Sequence, residues 1–112
     1  MSQIAKTLEP PYYAVIFTSQ LAGEESNTEG YSEMANQMFA LAAEQTGFLG
    51  IESAREDLGI SVSYWSDLEA IKSWKQQSDH QLAQQKGQEK WYQQYKVRIA
   101  KVERDYSFNC SN

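Results

Sequence analysis

Eight residues, Tyr12-Tyr13-Ala14-Val15-Ile16-Phe17-Thr18-Ser19, run without a charge and without polar alternation until their end. A β-branched and aromatic run of this kind is a strand covered on both faces, hence central in a sheet. The rest of the chain must therefore build a sheet around it.

The segment that follows, residues 20–30, is polar and turn-rich, and Ser26-x-x-Glu29 has the spacing of a capping box. Tyr31, Met34, Ala35, Met38, Leu41 and Ala42 recur in steps of three and four, which predicts a helix to about Gln45, with Gly47 as its stop. Phe48 to Glu56 and Ile60 to Trp65 read as two strands. The short turn Asp57-Leu58-Gly59 joins them into an antiparallel hairpin. In the second of these strands Ile60, Val62 and Tyr64 alternate with Ser61, Ser63 and Trp65.

Ser66-x-x-Glu69 predicts a helix start directly after the hairpin, with Leu68, Ile71 and Trp74 along one side. Ser78-x-x-Gln81 repeats the signal and predicts a break near residue 77, with a second piece running through His80, Leu82 and Ala83 toward Gly87. Tyr95 to Tyr106 reads as a long last strand. A strand that outruns its sheet needs another partner, and a second copy of the chain is the simplest one.

The order strand, helix, strand, strand, helix, strand gives an α+β, ferredoxin-like β-α-β-β-α-β fold. Its four-stranded sheet is antiparallel, with both helices on one face. Residues 1–11 form an N-terminal arm, 12–107 one domain and 108–112 a tail; 112 residues suit a single core.

A net charge of −5 argues against nucleic acid and against an anionic membrane surface. No apolar run approaches a membrane span, and the start of the chain carries no signal-peptide core. The one cysteine, Cys110, forms no intramolecular disulfide, so the cytoplasm is the expected compartment. Phosphate-binding glycine loops, HExxH and GxSxG are absent, and the residues suggest no metal site.

What remains for chemistry is aromatic. Trp65 and Trp74 converge on the space between sheet and helix, and Ser61 and Ser63 beside Trp65 leave room there. Trp91, Tyr92 and Tyr95 cluster before the last strand, in the manner of a core edge or an interface. His80 is the single histidine, a candidate acid or base near neutral pH.

Ser61-Val62-Ser63-Tyr64-Trp65, Asp67-Leu68-Glu69-Ala70-Ile71-x-x-Trp74, Ser78-Asp79-His80, Trp91-Tyr92 and Arg98 to Arg104 together resemble the antibiotic-biosynthesis monooxygenase family, over residues 12 to 107. The resemblance implies a dimeric α+β barrel. It also implies a monooxygenase that oxidises an aromatic or quinone-like small molecule with dioxygen and no cofactor, or alternatively a haem-binding or haem-degrading protein.

Trp65 matches the strand-end tryptophan of the oxygenase branch, whereas its asparagine and tyrosine are replaced by Ser61 and Ile71. Trp74 matches the helix tryptophan of the haem branch. The histidine ligand of that branch aligns near Gln84, one turn beyond His80, and its first-strand asparagine has no counterpart. The candidate set is then His80 and Trp65 for catalysis and Trp74, Tyr64, Ser61 and Met38 around a substrate. A non-catalytic dimer that binds a small apolar ligand is the third reading.

Overall fold

The computed structural model describes residues 3–22, 30–85 and 91–110, with the backbone alone for 82–85. The elements are β1 (Tyr12–Leu21), α1 (Tyr31–Ala43), β2 (Phe48–Arg55), β3 (Gly59–Trp65), α2 (Leu68–Gln85) and β4 (Tyr92–Val102). They form one antiparallel sheet in the order β2-β3-β1-β4, the α+β ferredoxin-like arrangement. The unalternating β1 is indeed interior, between β3 and β4.

The structure departs from the expectations in three places. Helix α2 begins one residue later than its first capping box implies, because Asp67 takes the cap: its Oδ1 accepts the Ala70 amide at 2.8 Å. The predicted break near residue 77 is absent. Ser78 Oγ donates backward to the Lys75 carbonyl at 3.1 Å instead of forward to a new helix start, and Lys75 bridges Asp79 at 2.7 Å across the same turn.

The third departure is β4, which runs from Tyr92 to Val102 and not from Tyr95 to Tyr106. It does not outrun its sheet. Strand β1 extends to Leu21, and the two pair from Tyr12↔Val102 to Leu21↔Tyr92. What β4 leaves unpaired is its outer edge. The capping signal Ser26-x-x-Glu29 and the stop at Gly87 lie outside the described residues.

Gly47 has φ +91, and a Cβ there would lie 2.6 Å from Ala70 Cβ and 2.8 Å from Ser66 Oγ. Only glycine lets the turn after α1 close against the start of α2, where Ser66 donates its amide to the Gly47 carbonyl at 2.8 Å. That contact sets both helices on one face.

The opposite face is held by polar contacts from the arm and tail. Glu52 accepts the Ala5 amide at 2.8 Å and the Tyr64 hydroxyl at 2.7 Å. Tyr64 meets Tyr12 edge to face at 5.9 Å, and Tyr12 donates to Asp105. Among the described residues no helix is long and apolar enough to cross a membrane.

Candidate functional site

Register and alternation fix which side chains share the helix side of the sheet. They form four rows that cross it, about 7 Å apart. The first row is Phe48, Trp65, Tyr13 and Lys101. The second is Ile51, Ser63, Val15 and Ile99, and the third is Ser53, Ser61, Phe17 and Val97. The fourth is Arg55, Gly59, Ser19 and Tyr95. The serine face of β3, not its Ile60–Val62–Tyr64 face, therefore lies under the helices. Ser53, Ser61 and Ser63 are the small side chains in the middle of this floor, on its β2–β3 side.

At the first end Trp65 has no exposed surface. It stacks on Trp74 at 6.0 Å and 22° and meets Phe48 edge to face at 5.4 Å. Its Nε1–H donates to Ser63 Oγ at 2.9 Å. Ala42 and Ile71 close the cluster around it. At the other end Met34 and Trp91 form a second buried cluster, packed by Tyr31, Met38 and Tyr92. Trp91 is thus a core residue, as its position before β4 suggests.

Helix α1 joins the two clusters. Met34 and Ala42 are eight residues apart, about 12 Å along the axis, which places Met38 midway. From α2 the inner positions Ile71, Trp74, Ser78 and Gln81 recur in steps of three and four and are buried or half-buried. Neither helix covers the β4 side of the floor: Val97 is 46% and Ile99 52% exposed. The result is an open groove with an apolar and serine floor and aromatic ends. A second hollow, of about 450 Å³, lies between Gln3–Lys6 of the arm and Phe48, Gly50 and Ile51, at the β2 edge.

The predicted residues divide accordingly. Trp65, Trp74 and Ser61 share the helix side, and Met38 lies above it. Tyr64 is on the opposite face, where burial and then its bond to Glu52 push its hydroxyl up to about 12. His80 is exposed, nine residues after Ile71 and half a turn away from it round the helix, so the structure does not bring it to Trp65 or Trp74.

Sequence reasoning missed the fourth row. Arg55 donates from Nη1 to the Ser19 carbonyl at 3.4 Å and from Nη2 to Ser19 Oγ and to the Tyr31 hydroxyl at 3.4 Å. Its Cζ stands 5.6 Å from the centroid of the Tyr31 ring. Tyr92 lies edge-on to Tyr31 at 5.8 Å, and its hydroxyl is held well above the usual tyrosine range by burial first and by the Tyr31 hydroxyl second. The one signal was position: Arg55 closes β2 directly across from Gly59. Among the described residues no group of three or more His, Cys, Asp or Glu is placed to hold a metal ion.

No family model matches the chain. The Bacillus subtilis (strain 168) protein YqjZ, itself uncharacterized, is 50% identical over 110 residues, which are 96% of this chain and 94% of YqjZ. The chain belongs to the YqjZ family. Among solved structures, a variant of SnoaB, a cofactor-independent oxygenase from Streptomyces nogalater, superposes with a TM-score of 0.67 at 14% identity, over 84% of this chain and 95% of that one. PA3566 from Pseudomonas aeruginosa superposes with a TM-score of 0.63 at 19% identity, over 88% and 99%. These likenesses show the fold of the chain, ferredoxin-like α+β, which a putative antibiotic biosynthesis monooxygenase from Nitrosomonas europaea shares with a TM-score of 0.65 at 12% identity, over 85% of this chain and 93% of that one.

Proposed function

We propose that this chain is a cytoplasmic, dimeric, cofactor-independent monooxygenase that oxidises an aromatic small molecule in the groove between its helices and its sheet. The observation that carries the reading is the floor of that groove. Ser53, Ser61 and Ser63 put small side chains on the β2–β3 side of that floor between two aromatic clusters, and Val97 and Ile99 leave its β4 side apolar and uncovered. The likeness of the fold to a cofactor-independent oxygenase supports the choice of chemistry.

In that chemistry the substrate is both fuel and target. A phenol loses its O–H proton and a ring C–H hydrogen. One oxygen atom of dioxygen enters the ring as a quinone carbonyl, and the other leaves as water with the two hydrogens. Both electron pairs come from the phenol. The protein desolvates the ring, orients it and favours the phenolate. Trp74 and Met38 wall the ring, Ser61 supplies a hydroxyl beside it, and Trp65 braces Trp74 from behind.

A second copy would dock on the face opposite the helices, where Ile16 and Val62 are half-buried and Ile60 is 44% exposed. Such a dimer is read directly by sedimentation. The activity is tested by oxygen uptake on a panel of naphthols and anthrones, with mass analysis under heavy-isotope dioxygen. The expected product has gained one labelled oxygen and lost two hydrogens. No uptake with any member of the panel sinks the oxygenase reading.

The non-catalytic reading, a dimer that only binds a small apolar ligand, has one observation in its favour. Trp65 offers a ligand neither surface nor a free N–H. Saturable binding of the same panel without oxygen uptake is the result that selects it.

A further inference from the structure

The groove ends at a cation that the reading above leaves unused. Arg55 folds its guanidinium flat over Gly59. A Cβ on Gly59 would lie 2.1 Å from Arg55 Cζ and Nη2 and 2.6 Å from Nε, and these are its three nearest atoms. Gly59 thus leaves the space in which the guanidinium rests. Ser19, itself 1% exposed, anchors it from below, and Tyr31 flanks it. All these partners are neutral oxygens. Among the described residues the ion pair is Lys75–Asp79, and no carboxylate reaches Arg55.

Ser19 and Tyr31 orient this exposed guanidinium, and none of the described residues compensates its charge. With Nη2 donating to Ser19 and Tyr31 and Nη1 once to Ser19, the Nε–H and one Nη1–H remain to donate singly to a carboxylate or phenolate oxygen. The chain as a whole carries −5, so an anionic ligand would be repelled unless a local cation received it. Arg55 is the member of the fourth row that supplies one. That row is one step, about 7 Å, from Ser61 and Phe17, so a ring lying on the serine floor reaches it with a substituent.

We propose that Arg55, resting on Gly59 between Ser19 and Tyr31, forms a subsite for the acidic oxygen of the ligand, so that the groove selects aromatic molecules bearing a phenolate or a carboxylate. This rests on the groove being the binding site. Arg55 takes no proton. Its charge lowers the pKa of a bound phenol, and the proton leaves to water. Tyr92, which stays neutral in the alkaline range, keeps a hydroxyl beside Tyr31 at the same end of the groove.

The test uses naphthoate and naphthamide, alike in shape but not in charge, in equilibrium dialysis against the full chain, Arg55→Gln and Gly59→Ala. The alanine methyl takes the place of the guanidinium while the charge stays in the chain. The unaltered protein is expected to bind naphthoate at least about tenfold more tightly than naphthamide, the range of a charge-assisted hydrogen bond. Both variants are expected to lose that preference to within about twofold, chiefly by a fall in naphthoate affinity. Naphthol should titrate at lower pH when bound to the unaltered protein, by about one unit, and lose that lowering in both variants.

Equal binding of the two probes to the unaltered protein overturns the subsite and leaves the groove reading standing. So does a preference that survives both substitutions. If neither probe binds, the groove and the subsite fall together.

Discussion

Trp65 is either a strut or a wall, and Ser63 distinguishes the two. The indole N–H and the Ser63 hydroxyl satisfy each other at 2.9 Å in a place where Trp65 has no exposed surface and Ser63 only 8%. Ser63→Ala leaves the N–H buried without a partner, which costs about 1–3 kcal/mol. Trp65→Phe removes one ring from a packed site, worth about 1 kcal/mol of space. It also orphans a hydroxyl with slight solvent access, which adds about 1 kcal/mol. The double variant has no orphan on either side, so only the space is lost. The two substitutions together should therefore cost less than the sum of their separate effects, by about 2–4 kcal/mol.

Urea unfolding followed by circular dichroism measures this, with all four proteins at one concentration, because a dimer's stability depends on it. In a thermal scan each kcal/mol is worth about 4 °C for a domain of this size. Additive costs would refute the pairing. A Ser63→Ala variant within about 0.5 kcal/mol of the parent that nevertheless loses affinity for naphthamide would refute the strut itself. It would make Trp65 and Ser63 part of the ligand's surroundings.

Two further outcomes follow from the same geometry. The Tyr64 hydroxyl titrates at about 12 in the folded chain against about 10 when unfolded, so the fold holds that proton more tightly. Its contribution is complete below pH about 10 and is lost as pH rises through about 12; Tyr64→Phe should make the fall in melting temperature over that window shallower, and an unchanged slope would exclude Tyr64 as its source. His80→Ala should leave stability within about 0.5 kcal/mol and ligand affinity within about twofold, since the side chain is exposed on the far side of α2 from Ile71; a large loss of oxygen uptake would restore His80 as a base, acting from outside this groove.

The fold was legible because its signals are local. An unalternating run marked the interior strand, steps of three and four marked the helices, and a short glycine turn marked the hairpin. Where the reading slipped, a competing contact or pairing decided. The Ser78 signal is a valid capping pattern, yet its hydroxyl turns back to Lys75 within a helix that continues. The length of β4 looked excessive because residues 103–106 were read into it; Tyr95 to Val102 pair fully with Tyr12 to Ser19, and the strand ends at Val102.

The site was legible by half, for a physical reason. Ser61, Ser63 and Trp65 alternate along one strand, so their common face can be read from the sequence. Arg55 and Ser19 are 36 residues apart, and nothing local connects them. Their meeting depends on the register of three strands and on the missing side chain of Gly59. The sequence shows that glycine only as the end of a turn. In the folded chain it also seats a cation, so a hairpin register that shifted by one residue would move Arg55 to the opposite face. The groove would keep its aromatic ends but lose its charge. The polar end of the groove is therefore a property of strand pairing, which is why it depends on the fold as a whole and not on a motif.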